Sequence, residues 1–158
     1  MAGWYPWNHF GGNPCAAVAG CAVLKEFEDG TLIENVNKMG AYLKKKLFAL
    51  KEKYPCISDV RGIGLMVAIE FSHEDGSPAP DIWAKVKKGC LERHMLTLNC
   101  GVNGNGMRFA TPLNVKKEEI DEGLSAFQSV FLQHNMESAV MSSGKPSRFL
   151  PRKNWLRM

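Results

Sequence analysis

Two short apolar runs flank Gly101-Val102-Asn103-Gly104-Asn105-Gly106. Asn-Gly occurs twice there, and Asn-Gly between apolar runs is the strongest short-range signal for a β-hairpin, since both residues tolerate positive φ. The pattern predicts antiparallel strands over Leu96–Cys100 and Met107–Thr111, with Pro112 closing the second. Alternation puts Met107 and Phe109 on one face, Arg108 and Ala110 on the other. The glycines do not form a dinucleotide fingerprint, which needs a helix after the loop; here a strand follows.

A further strand is expected over Gly64–Phe71, where Leu65, Val67, Ile69 and Phe71 alternate with Met66, Ala68 and Glu70. Arg61-Gly62-Ile63-Gly64 before it reads as a bend. Pro14–Asp29 reads as a helix rich in Ala16, Ala17, Ala19, Gly20 and Ala22, small enough to lie close against another element, so burial is expected. Asp29-Gly30 would end it, with Gly30 just past the last turn. Thr31 and Glu34 have capping-box spacing. Leu32, Val36, Met39, Leu43, Leu47 and Leu50 then recur at steps of three and four, the apolar face of a second helix stopped by Pro55. Lys44, Lys45, Lys46, Lys51 and Lys53 fall mostly off it, as a solvated face. Asp81 would cap a third helix with Ile82, Val86 and Cys90 inward. A fourth runs over Val115–Leu132 with Ile120, Leu124, Phe127 and Phe131 inward; Lys116 at its start has no acceptor to cap it. This order predicts a two-layer α+β domain: a mainly antiparallel, three- to four-stranded sheet covered by helices on one face.

No apolar run approaches the roughly 20 residues of a membrane helix, and residues 1–10 show no secretory pattern. The five cysteines, at 15, 21, 56, 90 and 100, form no CxxC pair and no zinc spacing. Reduced thiols in the cytosol are expected, and no metal site. Charges cancel through Gln133, so the net +4 resides in the C-terminal stretch, where Lys145, Arg148, Arg152, Lys153 and Arg157 face Glu137 alone. Residues 137–158 therefore read as a basic, disordered tail; nucleic-acid binding through it is not favoured. Trp4, Tyr5 and Trp7 form an aromatic cluster too small for its own core.

Two candidate sites remain. His9-Phe10-Gly11-Gly12-Asn13-Pro14 is a Gly-rich loop entering a helix, with Asn13 suited to the N-cap and Pro14 to the first helical position. Such a loop either receives an anion at the helix N-terminus or is a capped start that binds nothing. Arg108, mid-strand among apolar residues, either pairs structurally with an acid such as Glu70 or grips a substrate carboxylate through its planar fork. Its strand is expected at a sheet edge. No Ser/His/Asp order or carboxylate pair supports a hydrolase.

Four segments together carry a resemblance: residues 9–14; Asp59-Val-Arg-Gly-Ile-Gly-Leu-Met66; Cys100-Gly-Val-Asn-Gly-Asn-Gly-Met-Arg-Phe109; and Glu118-Glu-Ile-Asp-Glu-Gly-Leu124. Their order and spacing resemble the C-terminal portion of class III aminotransferases, from about His9 to about Phe131. The segment 100–112 is most similar to 4-aminobutyrate (ω-amino acid) enzymes, with acetylornithine types close behind. The resemblance implies the C-terminal domain of a fold-type-I pyridoxal 5'-phosphate transferase, cytoplasmic and usually dimeric. It implies transfer of an amino group from an ω-amino acid to a 2-oxo acid. It places His9, Phe10, Gly11 and Gly12 at the cofactor phosphate, His9 standing where the family carries Thr, and Arg108 at the substrate carboxylate. The family's Schiff-base lysine and pyridine-pairing acid lie upstream of the Gly-Gly loop. The expectation is therefore a chain inactive alone, sharing the cofactor with a large domain or second subunit. The implied layout is an N-terminal segment over 1–12, the small domain over 13–136 and the tail over 137–158. The competing expectation is a non-catalytic interaction domain that keeps the fold and binds an aminotransferase or another protein.

Overall fold

A computed structural model describes residues 13–133. The elements run α1 (Pro14–Lys25), α2 (Thr31–Lys53), β1 (Ile57–Ile63), β2 (Met66–Phe71), α3 (Pro80–Leu91), β3 (Leu98–Cys100), β4 (Gly106–Ala110) and α4 (Lys117–Gln133). The strands form one antiparallel sheet in the order β1-β2-β4-β3. The expected α+β fold is present.

Alternation decides which face of the sheet is covered. Val67, Ile69 and Phe71 of β2 and Met107 and Phe109 of β4 are buried, while Arg108 and Ala110 are exposed. Onto the buried face pack Leu43 and Leu47 of α2, Trp83 and Val86 of α3, and Phe127 and Phe131 of α4. Rings fill the middle: Phe109 meets Phe127 edge-on at 5.9 Å, and Tyr54 stacks on Phe131 at 4.5 Å between centroids. Each pair adds about 0.5–1.5 kcal/mol beyond its area burial. Gly40 extends the α2 face: a Cβ there would stand 2.2 Å from the Gly64 carbonyl oxygen, so the helix touches the β1–β2 turn backbone to backbone.

The structure corrects several expectations. Arg61, Gly62 and Ile63 belong to strand β1, not to a bend; Gly64 and Leu65 turn the chain, and β2 begins at Met66. An irregular register between Ile57 and Asp59 breaks the period-two pattern that would have announced this strand. Helix α1 buries no residue, because none of the described elements packs on its small-residue face. It ends at Lys25, and Gly30, at φ 76°, opens α2 instead of closing α1. Thr31 does not cap α2: Asp29 Oδ1 accepts from the Thr31 backbone N–H at 2.9 Å and from its hydroxyl at 2.8 Å. Asp81 lies within the first turn of α3, whose N-cap is Ala79, and its carboxylate meets His73 Nε2 at 3.1 Å. β3 and α4 are shorter than expected, starting at Leu98 and Lys117. The Trp4–Trp7 cluster, the loop over 9–12 and the tail lie outside the described residues.

Candidate functional site

The uncovered face of the sheet is where polar chemistry is displayed. Register puts Arg108 of β4 opposite Ala68 of β2 on one side and Leu98 of β3 on the other. β4 is thus an interior strand, not the expected edge. Interior pairing on both sides still fixes the backbone beneath the guanidinium, which stands exposed between two apolar neighbours.

The β3–β4 hairpin holds that register. Gly101 and Gly104, at φ 85° and 65°, make the turn. Asn105 is buried; its Nδ2 donates to the Phe71 carbonyl at 2.7 Å, and the Phe71 N–H donates to the Asn105 carbonyl at 2.9 Å. In the sequence Asn105 looks only like a turn residue; its clasp on β2 depends on the strand order. Beyond β4, Asn35 Nδ2 of α2 donates to the carbonyls of Leu113 and Val115, at 2.7 and 3.1 Å, and fastens the segment leaving the strand.

Glu70, the acid expected as Arg108's structural partner, is engaged elsewhere. It hydrogen-bonds Arg61 Nη2, and Arg61 Nη1 donates to Asp59 Oδ2 at 2.6 Å. The two carboxylates hold the Arg61 guanidinium well above the ordinary arginine range, the hydrogen bond it donates to Glu70 contributing most. Arg108 makes no ion pair or hydrogen bond among the described residues. The Asp59–Arg61–Glu70 cluster is hidden in the sequence, where Arg61-Gly62-Ile63-Gly64 looks like a bend. The signal was the i, i+2 spacing of Asp59 and Arg61, which places both on one face once β1 is a strand.

The second candidate is described only at its margin. Asn13 caps α1, its Oδ1 accepting from the Cys15 N–H at 2.9 Å, and Pro14 occupies the first turn. That turn contains no acidic residue and is exposed apart from half-buried Ala16. The positive end of the helix dipole is unopposed there, which fits a phosphate delivered to the preceding loop. His9, Phe10, Gly11 and Gly12 themselves lie outside the described residues. A separate groove, lined by Glu26, Thr31, Leu32, Asn35, Leu113 and Asn114, does not include Arg108. No group of metal-ligating side chains occurs among the described residues.

The family model for class-III aminotransferases matches residues 7–131, spanning all four motifs and the described fold up to Phe131 in α4. The chain belongs to the class-III aminotransferases. It is 43% identical over 122 residues to an acetylornithine aminotransferase of Clostridium acetobutylicum and 36% identical over 124 residues to a 4-aminobutyrate aminotransferase of Escherichia coli. Each match covers 77% of this chain and 29% of the relative, so this class-III chain spans about three-tenths of the length of those relatives. Among solved structures it resembles a Bacillus anthracis aminotransferase with a TM-score of 0.71 at 28% identity, over 84% of this chain and 32% of that one. It also resembles the N-acetylornithine aminotransferase of Stenotrophomonas maltophilia, with a TM-score of 0.68 at 25% identity, over 78% and 32%. Class-III aminotransferases depend on pyridoxal phosphate and act on amino and 2-oxo acids. In this chain no helix among the described residues is long and apolar enough to cross a membrane.

Proposed function

We propose that this chain is the C-terminal small domain of a cytoplasmic aminotransferase that moves an amino group from an ω-amino acid, of the 4-aminobutyrate kind, to a 2-oxo acid. In this reading residues 13–136 form the small domain, 1–12 bring the loop to the cofactor, and 137–158 are a basic tail. The observation that carries it is the free guanidinium of Arg108, displayed on a rigid strand between Ala68 and Leu98. A carboxylate meets two parallel N–H donors there and no competing acid on the directly paired residues. The substrate's carboxylate end is fixed, and its amino end is aimed away from the sheet.

Bound pyridoxal phosphate supplies the electron sink that makes the proton on the amine-bearing carbon of the amino donor removable. On this chain, His9, Phe10, Gly11 and Gly12 would hold the phosphate: the glycines let backbone N–H groups come close, the α1 dipole adds positive potential, and His9 donates from its imidazole. No described lysine stands on a strand of the sheet; all lie on helices or at a helix cap. From the resemblance to class-III enzymes, we assign the lysine that anchors the cofactor to a large domain, with a second subunit sharing the site, and expect this small domain not to turn over alone.

The test is a chimaera in which residues 7–131 replace the matching part of the Escherichia coli 4-aminobutyrate enzyme. Turnover of 4-aminobutyrate with 2-oxoglutarate is expected. Arg108→Leu should lower kcat/KM on the order of a hundredfold while cofactor absorbance is retained. A chimaera that folds and loads cofactor without turning over favours the non-catalytic interaction domain instead.

A further inference from the structure

We propose that Arg61 is a positioning residue for substrate recognition: by holding Glu70, it keeps that carboxylate off Arg108 and leaves Arg108 free for the substrate. This inference rests on the reading of Arg108 as the carboxylate clamp.

The sheet register creates the problem that Arg61 solves. Glu70 stands opposite Gly106, two residues before Arg108 on β4, while Ala68 stands opposite Arg108. Glu70 and Arg108 are thus diagonal neighbours on one face, a separation long side chains bridge. Gly106 has no side chain to stand between them. Glu70 also lies beside the hairpin turn: a Cβ on Gly101 would be 3.8 Å from Glu70 Oε1. An acid so placed would hold Arg108 shut and repel a carboxylate ligand arriving at it.

On the other flank of β2 the register turns Glu70 away. Asp59 of β1 lies opposite Glu70, and Arg61 lies opposite Ala68, the residue Arg108 faces from the other side. Arg61 and Arg108 are therefore rivals for one carboxylate from the two sides of β2. Arg61 also holds Asp59, so its fork is fixed at two points and keeps its orientation. An anchored fork loses less freedom on pairing than the exposed, unpartnered Arg108, and this decides the competition. Asp59 contributes by stiffening Arg61 without approaching β4.

The full 158-residue chain and its variants can be labelled with phenylglyoxal, an arginine-selective dicarbonyl, and the rate at Arg108 read by peptide mass spectrometry. In Arg61→Met, Glu70 is released and captures Arg108, so Arg108 labelling slows roughly threefold, the effect of one exposed ion pair. Arg61→Met/Glu70→Gln restores the original rate. Glu70→Gln alone, which needs no loss of the arginine, leaves Arg108 labelling as it was. An unchanged rate in a folded Arg61→Met, no restoration in the double variant, or faster labelling in Glu70→Gln would each overturn the assignment. A second arm titrates the wild-type chain with 4-aminobutyrate and follows the Arg108 Nε–H resonance. Its failure to shift would sink the clamp reading alone, since the labelling series judges the Arg61–Glu70 competition independently.

Discussion

Glu70 is bonded to Arg61 across β1 and β2, although Arg108 stands one diagonal step away on β4. The partner that would have made Arg108 structural is thus committed to the opposite strand. Removing Arg108 leaves no buried charge behind. Arg108→Leu should therefore change stability by no more than about 0.5 kcal/mol, as for other exposed positions without a partner. Urea melts check this; a loss of several kcal/mol would mean that Arg108 holds the fold.

The start of α4 offers a test of opposite sign. The Lys116 N–H donates to Glu119 Oε2 at 2.7 Å, which is half of a capping box. The other half is missing, because a lysine side chain accepts nothing and its charge opposes the helix dipole at this end. Lys116→Thr should stabilise the chain by about 0.5–2 kcal/mol. A melt that does not move would show that the free N–H groups gain nothing from a hydroxyl here.

Gly40 should resist replacement. Alanine is the better helix former by about 1 kcal/mol, but its Cβ would meet the Gly64 carbonyl oxygen at 2.2 Å. The clash is with backbone on a tight turn and outweighs propensity; Gly40→Ala should cost about 1–3 kcal/mol net. A more stable variant in thermal melts would show that the turn can retreat from the helix.

Thiol chemistry separates the cysteines. Burial pushes the Cys56 and Cys90 thiols up to about 11. At pH 8 roughly one in a thousand of each is the reactive thiolate, and the fraction grows about tenfold per pH unit until near 11. Cys15 and Cys21 are exposed on α1. Ellman's reagent at pH 8 should titrate those two first and reach Cys56 and Cys90 rapidly only in denaturant. Equal rates in the native chain would contradict the packing around Cys90.

The parts of the fold that were legible in sequence are those with an uninterrupted period. The α2 face from Met39 to Leu50, the β2 alternation and the Asn-Gly hairpin all stand where their patterns put them. Arg108's exposure followed from the same alternation. β1 was hidden because an irregular register and Gly62 disrupt its period. The burial expected for α1 failed for another reason: small side chains state that a neighbour comes close without stating which chain provides it. The Arg61–Glu70 pairing was invisible because it depends on strand order, and a chain of four strands allows Glu70 either arginine until β2 is known to lie between β1 and β4.

Helix α1 spans twelve residues and buries none of them. A helix of that length is marginal in water, since the cost of nucleating it is recovered only over more turns or against a surface. Its order is therefore governed by mass action: whatever binds the helical form alone shifts the equilibrium by RT ln(1 + [L]/Kd). In the free chain, helicity at 14–25 should therefore be low while the sheet signals are complete, and a partner that docks on α1 should raise it. The dipole that favours a phosphate exists only while α1 is wound. Docking on α1 and the winding of its N-terminal turn are then one transition, so whatever covers the helix also sets the potential at its start.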